Sequence, residues 1–172
     1  MKKLIALILT AVVMLSSGTS LAPAASADAG LPPVADSAEV AVVDDFLLGV
    51  EPGATAADVK SYFTGAVTVH DATGAGQGDD APVASGWLVA SGSAVAVILI
   101  AGELTGDAKI NARDVIALMG FFVGKDAPDY DAVADIVPDG AVNARDVVAL
   151  MEYLVGWDVT LGERFFKTDG RA

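Results

Sequence analysis

The stretch Asn111-Ala112-Arg113-Asp114-Val115-Ile116-Ala117-Leu118-Met119 returns 32 residues later (143 − 111) as Asn143-Ala144-Arg145-Asp146-Val147-Val148-Ala149-Leu150-Met151. The two strings differ at one position only, where Ile116 is replaced by Val148, and each is followed at the same distance by Val-Gly. Near-identity over such a length in a short chain indicates a duplicated supersecondary unit.

Oxygen-bearing side chains precede each copy at the spacing of a 12-residue calcium loop. We call residues 103–114 loop one and residues 135–146 loop two, so that Asp114 and Asp146 both stand at position 12. Calcium takes six to eight oxygen ligands, and alternate residues of a curled loop supply them, with position 7 giving a backbone carbonyl. The predicted side-chain ligands are Glu103, Thr105, Asp107, Asn111 and Asp114 in loop one, and Asp135, Asp139, Asn143 and Asp146 in loop two. The predicted backbone ligands are the carbonyls of Lys109 and Ala141, for two Ca²⁺ sites in all.

Two such loops, each followed by one helix and closed by Asp at position 12, resemble the type I dockerin family. The resemblance covers about residues 102–156. It implies an all-α domain with two calcium loop-helix repeats, 103–124 and 135–156. It also implies a cohesin module of a scaffold protein as partner, in an extracellular, cellulosome-like assembly that degrades polysaccharides.

Both loops depart from the family pattern. Loop one has Glu103 where Asp is usual, Thr105 where Asn is usual, and Ala108 where Gly forms the sharp turn. Loop two has Val137 at position 3, which offers no side-chain oxygen. We therefore expect two weak calcium sites, which extracellular calcium can still fill. The alternative is that one loop has lost its metal and persists as a turn.

The first two residues of each helix are identical in the two halves, Ala112-Arg113 and Ala144-Arg145. In dockerins this pair carries much of the cohesin selectivity, so we predict that these four residues contact the partner. The identity also predicts docking in either of two orientations related by the internal pseudo-twofold. Alternatively, each arginine is a solvated residue that pairs with Asp107 or Asp139.

Apolar residues recur at helical spacing in both copies and predict a buried stripe on each helix. These stripes are Val115, Leu118, Met119 and Phe122 in the first helix, and Val147, Leu150, Met151 and Leu154 in the second.

The N-terminus has the pattern of a secretory signal peptide. Lys2 and Lys3 precede an apolar run, and Ala25-Ser26-Ala27 offers a cleavage site, so residues 1–27 are predicted to be removed. The apolar run is shorter than a membrane span requires, which disfavours an uncleaved anchor. We expect a secreted protein, either free or held at the cell surface through a scaffold, with no stable membrane insertion after cleavage.

Between the signal and the dockerin-like region, the sequence predicts a small α+β module. Residues 28–37 read as a linker, and residues 38–101 as about four strands and one helix. The apolar run from Val40 to Val50 is predicted to be the first of these strands. Thr55 and Asp58 form the capping box of that helix, and Val67 and Val69 alternate with polar residues on a strand. The full fold class is thus an α+β module followed by an all-α dockerin (102–157) and a tail (158–172).

Composition excludes several functions. The net charge of −13 argues against binding to nucleic acid. The chain has no cysteine, a single histidine (His70) and no Gly-x-Ser-x-Gly elbow. A glycosidase would need two rigidly held carboxylates in a cleft, for which a module of this size has little room. We therefore predict no enzymatic activity and no catalytic residue.

Two functions remain. The first is an adaptor whose dockerin attaches the small module to a cohesin-bearing scaffold. The second is a carbohydrate- or cell-wall-binding protein, in which the module grips a polysaccharide and the dockerin delivers it. The aromatic residues available for a polysaccharide platform are Phe46, Tyr62, Phe63 and Trp87. Most of them fit core positions, which favours the adaptor.

Overall fold

The computed structural model describes residues 30–125 and 131–162. The predicted signal peptide lies outside these residues. So do Phe165 and Phe166, whose apolar side chains predict that the tail folds back onto the helix pair. The N-terminal half is a five-stranded sheet with one helix. Its elements are β1 (Ala41–Val43), β2 (Phe46–Leu48), α1 (Ala56–Ser61), β3 (Thr68–His70), β4 (Leu88–Ser91) and β5 (Ala94–Ile98).

The strand order is β1-β2-β5-β4-β3, with β2 and β5 parallel and every other pair antiparallel. The sheet therefore has five strands and not the four predicted. The apolar stretch from Val40 to Val50 is not one strand but a hairpin, because Asp44 and Asp45 turn the chain with φ of 47° and 67°. Positive φ at both central residues is the condition for a tight hairpin turn of the primed type.

Helix α1 begins as its sequence predicts. Thr55 is the N-cap, and its side chain and that of Asp58 form a reciprocal capping box. Val59 is fully buried, and Phe63 beyond the helix end is 7% exposed. Both belong to the core on one face of the sheet, together with Leu47, Val69, Val89 and Ile98.

Residues of the predicted 28–37 linker pack on this module. Val34 bridges to Phe63, Ala35 N donates to Tyr62 O at 2.7 Å, and Thr64 N donates to Pro33 O at 2.9 Å. Leu31 and Val34 also contact the apolar core. The segment from about Leu31 thus lies against the module and does not extend away from it.

The second half of the chain contains two helices, α2 (Ala112–Phe122) and α3 (Ala144–Leu154), and a short 3₁₀ helix at Asp131–Val133. Their common core consists of Leu118, Ala134, Ile136, Ala149, Leu150 and Leu161. Leu161 comes from the predicted tail, so the chain turns back after α3 and closes this core. Gly162 N fixes the turn by donating to Ile136 O at 2.8 Å.

The two halves meet across the second face of the sheet. Leu88, Val97 and Leu99 are buried there together with Val133, and Leu104 packs on the same cluster. Val133 and Leu104 belong to the helical half, and Gly102 N donates to Val133 O at 2.8 Å. The sheet thus has one apolar face covered by its own helix and the other covered by the helical half.

Candidate functional site

Asn111 and Asn143 are the N-caps of α2 and α3. Their side-chain oxygens accept from Arg113 N at 2.8 Å and Arg145 N at 2.9 Å. The position-12 residues complete each capping box, since Asp114 Oδ2 accepts from Asn111 N at 2.8 Å and Asp146 Oδ2 from Asn143 N at 2.7 Å. Each Asp is fully buried. Its other oxygen, Oδ1, accepts hydrogen bonds from N–H groups of the loop.

In loop one, Asp114 Oδ1 accepts three hydrogen bonds, from Leu104 N at 2.9 Å and from Thr105 N and Oγ1 at 3.0 Å each. Glu103 at position 1 accepts from Asp107 N at 2.9 Å through Oε1 and from Ser85 N at 2.7 Å through Oε2. Asp107 Oδ1 accepts from Lys109 N at 3.0 Å. Burial raises the pKa of Glu103, and the hydrogen bonds from Ser85 and Asp107 oppose that rise.

In loop two, Asp146 Oδ1 accepts one hydrogen bond, from Val137 N at 2.8 Å. Asp135 keeps both oxygens inside its own loop, accepting from Asp139 N at 3.3 Å and Gly140 N at 2.9 Å. Asp139 Oδ1 accepts from Ala141 N at 3.1 Å, as Asp107 does from Lys109. The polar framework of loop one therefore recurs in loop two, with differences at positions 1, 3 and 12.

Position 6 has the same backbone conformation in both loops. Ala108 has φ of 63° and Gly140 has φ of 81°. The left-handed region is unfavourable for alanine, which carries a Cβ, and costless for glycine. Ala108 adopts it nonetheless, which indicates that the surrounding hydrogen bonds impose the curl of the loop.

The donor set of these loops suits calcium. Each loop offers three carboxylates, one side-chain amide and one backbone carbonyl, all hard oxygen ligands of the kind that Ca²⁺ prefers. Among residues 30–125 and 131–162, no three Asp, Glu or His side chains already converge as a metal cluster. The reason is that the carboxylates accept loop N–H groups, and no buried side-chain polar atom in the described chain lacks a partner.

The carbonyls predicted as position-7 ligands accept from the N-cap amides. Ala141 O accepts from Asn143 Nδ2 at 2.7 Å, and Lys109 O from Asn111 Nδ2 at 3.4 Å. Since a carbonyl oxygen has two lone pairs, each retains one for a cation. Asn111 Nδ2 and Asn143 Nδ2 also point to Asp107 and Asp139, at 3.3 and 3.5 Å. Positions 5, 7 and 9 are thus adjacent in both loops.

The predicted partner residues lie on the surface. Ala112 and Ala144 are exposed. Arg113 pairs with Asp107 at 3.9 Å and Arg145 with Asp139 at 3.1 Å, yet 79% and 70% of the two side chains stay exposed. Exposed ion pairs of this kind contribute little to stability. Both arginines can therefore reach a partner at small cost.

The buried stripes predicted for α2 and α3 are wrong in part. Leu118 and Leu150 are fully buried, and Val115 and Val147 are half-buried against the core, as predicted. However, Met119, Met151, Phe122 and Leu154 are exposed. A helix in a two-helix domain buries only a narrow seam against its neighbour, and these residues lie beside that seam.

These side chains belong to two matching exposed patches, which the sequence reasoning missed. The α2 patch is Ile116, Met119, Phe122 and Val123, and the α3 patch is Val148, Met151, Leu154 and Val155, with Trp157 beyond it. Each member of the first patch is 32 residues before its counterpart in the second. The sequence did carry a signal for these patches. In both copies the apolar stripe is wider than the face that one helix of a pair can bury.

His70 does not form a catalytic arrangement. Its Nε2 lies 2.9 Å from Thr68 Oγ1 within β3, and its Nδ1 lies 3.1 Å from Gly74 O in the loop after β3, so both ring nitrogens have partners in the same module. No helix in the described chain is long and apolar enough to cross a membrane.

Comparison with protein families identifies the second half of the chain. The model of the dockerin type I domain matches residues 101–155, about a third of the chain. Comparison with curated proteins and with solved structures gives no match. Dockerin domains are non-catalytic modules that bind calcium and dock onto cohesin modules, typically in extracellular proteins. The segment from Ala101 to Val155, with its two loop-helix repeats, is a type I dockerin domain.

Proposed function

We propose that this protein is a secreted, non-catalytic adaptor that binds calcium and docks onto cohesin modules of an extracellular polysaccharide-degrading assembly. Its dockerin would attach the N-terminal α+β module to the scaffold that carries the cohesin. Secretion rests on the signal pattern of residues 1–27 and agrees with the extracellular setting typical of dockerins.

The observation that carries this proposal is the pair of matching apolar patches on α2 and α3. Soluble proteins rarely expose large contiguous apolar surfaces unless these bind something. Here eight exposed apolar residues occupy equivalent positions of two helices within the dockerin match. Ala112-Arg113 and Ala144-Arg145 lie at the start of the same helices, where an exposed arginine can contribute hydrogen bonds at the rim of a complex.

Calcium would bind both loops through the oxygen donors predicted for them. In loop two these are Asp135, Asp139, Asn143, Asp146 and the Ala141 carbonyl. In loop one they are Glu103, Thr105, Asp107, Asn111, Asp114 and the Lys109 carbonyl. An ion would offset the negative charge of the buried position-12 carboxylates and hold each loop against the start of its helix.

The N-terminal module supports the adaptor better than the carbohydrate-binding alternative. Polysaccharide platforms expose aromatic side chains, whereas Phe63 is 7% exposed and Tyr62 and Trp87 pack against the same core. Phe46 packs on the opposite face of the sheet, against the cluster that contains Val133 of the helical half. None of the four aromatics considered for carbohydrate is therefore presented as a flat exposed surface.

The test uses the chain from Asp28 onward, which is the expected mature protein. It is passed with calcium over immobilised type I cohesin modules and, separately, over insoluble cellulose, xylan and purified cell wall. Retention by a cohesin and by none of the polysaccharides is the expected result. Retention by a polysaccharide without any cohesin would instead support the carbohydrate-binding alternative.

A further inference from the structure

Glu103 is both position 1 of loop one and part of the junction between the two halves. Only 1% of this residue is exposed, although it carries a carboxylate. Its Oε2 accepts from Ser85 N at 2.7 Å, and Ser85 lies in the sheet module, before β4. The Ser85 hydroxyl in turn accepts from Ile100 N at 3.1 Å. A carboxylate of the dockerin thus accepts a hydrogen bond from the backbone of the sheet module.

The equivalent residue of loop two has no such role. Asp135 is only half-buried, and both its oxygens accept from N–H groups of its own loop, Asp139 and Gly140. The extra methylene of Glu103 is what lets Oε2 leave the loop and reach Ser85. The position-1 side chain of loop two therefore bonds only within its own loop, whereas that of loop one has one oxygen bonded inside the loop and one outside it.

Position 12 differs in the same direction. Asp114 Oδ1 accepts three hydrogen bonds, two of them from Thr105, whereas Asp146 Oδ1 accepts one. Val137 has no hydroxyl to donate, and Ile136 N, the counterpart of Leu104 N, donates to Ala134 O at 3.0 Å. A carboxylate oxygen that already has three donors offers a cation less than one that has a single donor. The position-12 carboxylate of loop one is thus largely occupied by protein donors, while Asp146 Oδ1 of loop two keeps acceptor capacity for a cation.

We propose that Glu103 is a junction residue that fastens the dockerin to the sheet module, and that loop two is consequently the tighter calcium loop. The second half of this statement rests on the proposed calcium binding. The affinity of such loops is set by the number of charged ligands and the rigidity of the site. Loop one gives up part of one charged ligand to Ser85, and we expect it to bind calcium at least ~10-fold more weakly than loop two.

Calcium titration of the chain from Asp28 onward, followed by calorimetry, tests the order of the sites. The expected result is two unequal binding steps. Asp146→Asn should remove the tighter step and Asp114→Asn the weaker one, since each amide keeps an oxygen that can still cap its helix. Loss of the tighter step in Asp114→Asn, or two equal steps in the unaltered chain, would overturn the order proposed here.

Glu103→Asp tests the link between the two roles. Aspartate is the residue that loop two has at this position, and its shorter side chain withdraws from Ser85. The weaker calcium step should become ~10-fold tighter. The melting temperature in chelator should fall by about 5 °C as the junction loosens. An unchanged weaker step would show that Ser85 does not compete with calcium for position 1.

The role of Glu103 at the junction can be tested without calcium. If the chain bound no calcium at all, the proposed function would be contradicted, but the junction would not. Glu103→Ala in chelator should lower the melting temperature by about 5 °C or more, because the partly buried Ser85 N loses its acceptor. Asp80→Ala, which removes an exposed carboxylate of the sheet module, is the control and should change little. Equal effects of the two substitutions would show that Glu103 does not fasten the halves.

Discussion

Met119 and Met151 occupy the same position in the two dockerin helices and are exposed to the same extent, 52% and 53%. Methionine adapts its shape to irregular surfaces and is used where a surface must fit a partner. The flanking residues are matched too, since Ile116 and Val148 are both exposed. The internal duplication has thus produced two nearly equivalent surfaces on one small domain.

This equivalence predicts redundant cohesin binding. Arg113→Ala removes the exposed arginine from one surface only, so the chain can still dock through the other surface. The affinity for cohesin should therefore fall by about the statistical factor of 2. This is far less than a tenfold loss, which corresponds to ~1.4 kcal/mol. Arg145→Ala is the matched single substitution. The double variant alters both surfaces and should bind at least ~10-fold more weakly than either single variant.

Binding of the three variants to one cohesin by surface plasmon resonance decides this point. A single variant as weak as the double variant would mean that only one surface is used. The surfaces do differ, since Gly120 corresponds to Glu152 within the helices and Lys125 to Trp157 beyond them. Any preference between the two single variants should follow these differences.

Calcium should stabilise the folded chain. An ion that binds only the folded state adds about 2.7 kcal/mol when its concentration is a hundredfold above its dissociation constant. For a domain of this size, that corresponds to a rise in melting temperature of roughly 5–10 °C. Differential scanning calorimetry with calcium and with chelator measures the shift. Magnesium at equal concentration is the control, and identical melting in calcium and chelator would show that the loops hold no calcium.

Ala108 and Gly140 give a matched pair of backbone tests. Both have positive φ, and a Cβ added at Gly140 would meet no atom within 4 Å. Ala108→Gly should therefore stabilise the chain by about 1 kcal/mol, and Gly140→Ala should destabilise it by a similar amount. Urea unfolding of the two variants measures both free energies. If Ala108→Gly destabilises the chain, then position 6 of loop one does not have the conformation described.

The return of the chain after α3 can be tested at Gly162. A Cβ built there would lie 2.4 Å from the Cβ of Ala101, and φ is +71°. Gly162→Ala should cost about 2 kcal/mol or more, from overpacking as well as backbone strain. Gly156→Ala is the control, because it has φ of +82° and open space around it, and it should cost only about 1 kcal/mol. Equal losses in thermal melting would show that the segment does not pack on Ala101.

Local signals in the sequence predicted the parts of the fold that local interactions determine. The duplicated string, interpreted as the end of a calcium loop followed by a helix, predicted both helix starts, and Thr55 with Asp58 predicted the start of α1. The Asp44-Asp45 turn was missed because aspartate at positive φ is uncommon and the flanking valines and leucines read as one continuous run.

Contacts between distant residues could not be predicted in this way. Nothing near Glu103 in the sequence indicates that it reaches Ser85, 18 residues earlier in the chain. Likewise, periodicity marked Met119 and Phe122 as apolar but could not tell a buried stripe from an exposed docking surface. That distinction depends on how many neighbouring elements cover a helix, which only the tertiary arrangement determines.

The most direct test of the proposed function is isothermal titration of the chain from Asp28 onward with a type I cohesin from a scaffold protein of the same organism. In calcium, one chain should form a complex with one cohesin, and removal of calcium by chelator should abolish it. A chain that binds no type I cohesin in calcium, or binds one equally well in chelator, would contradict the proposed function.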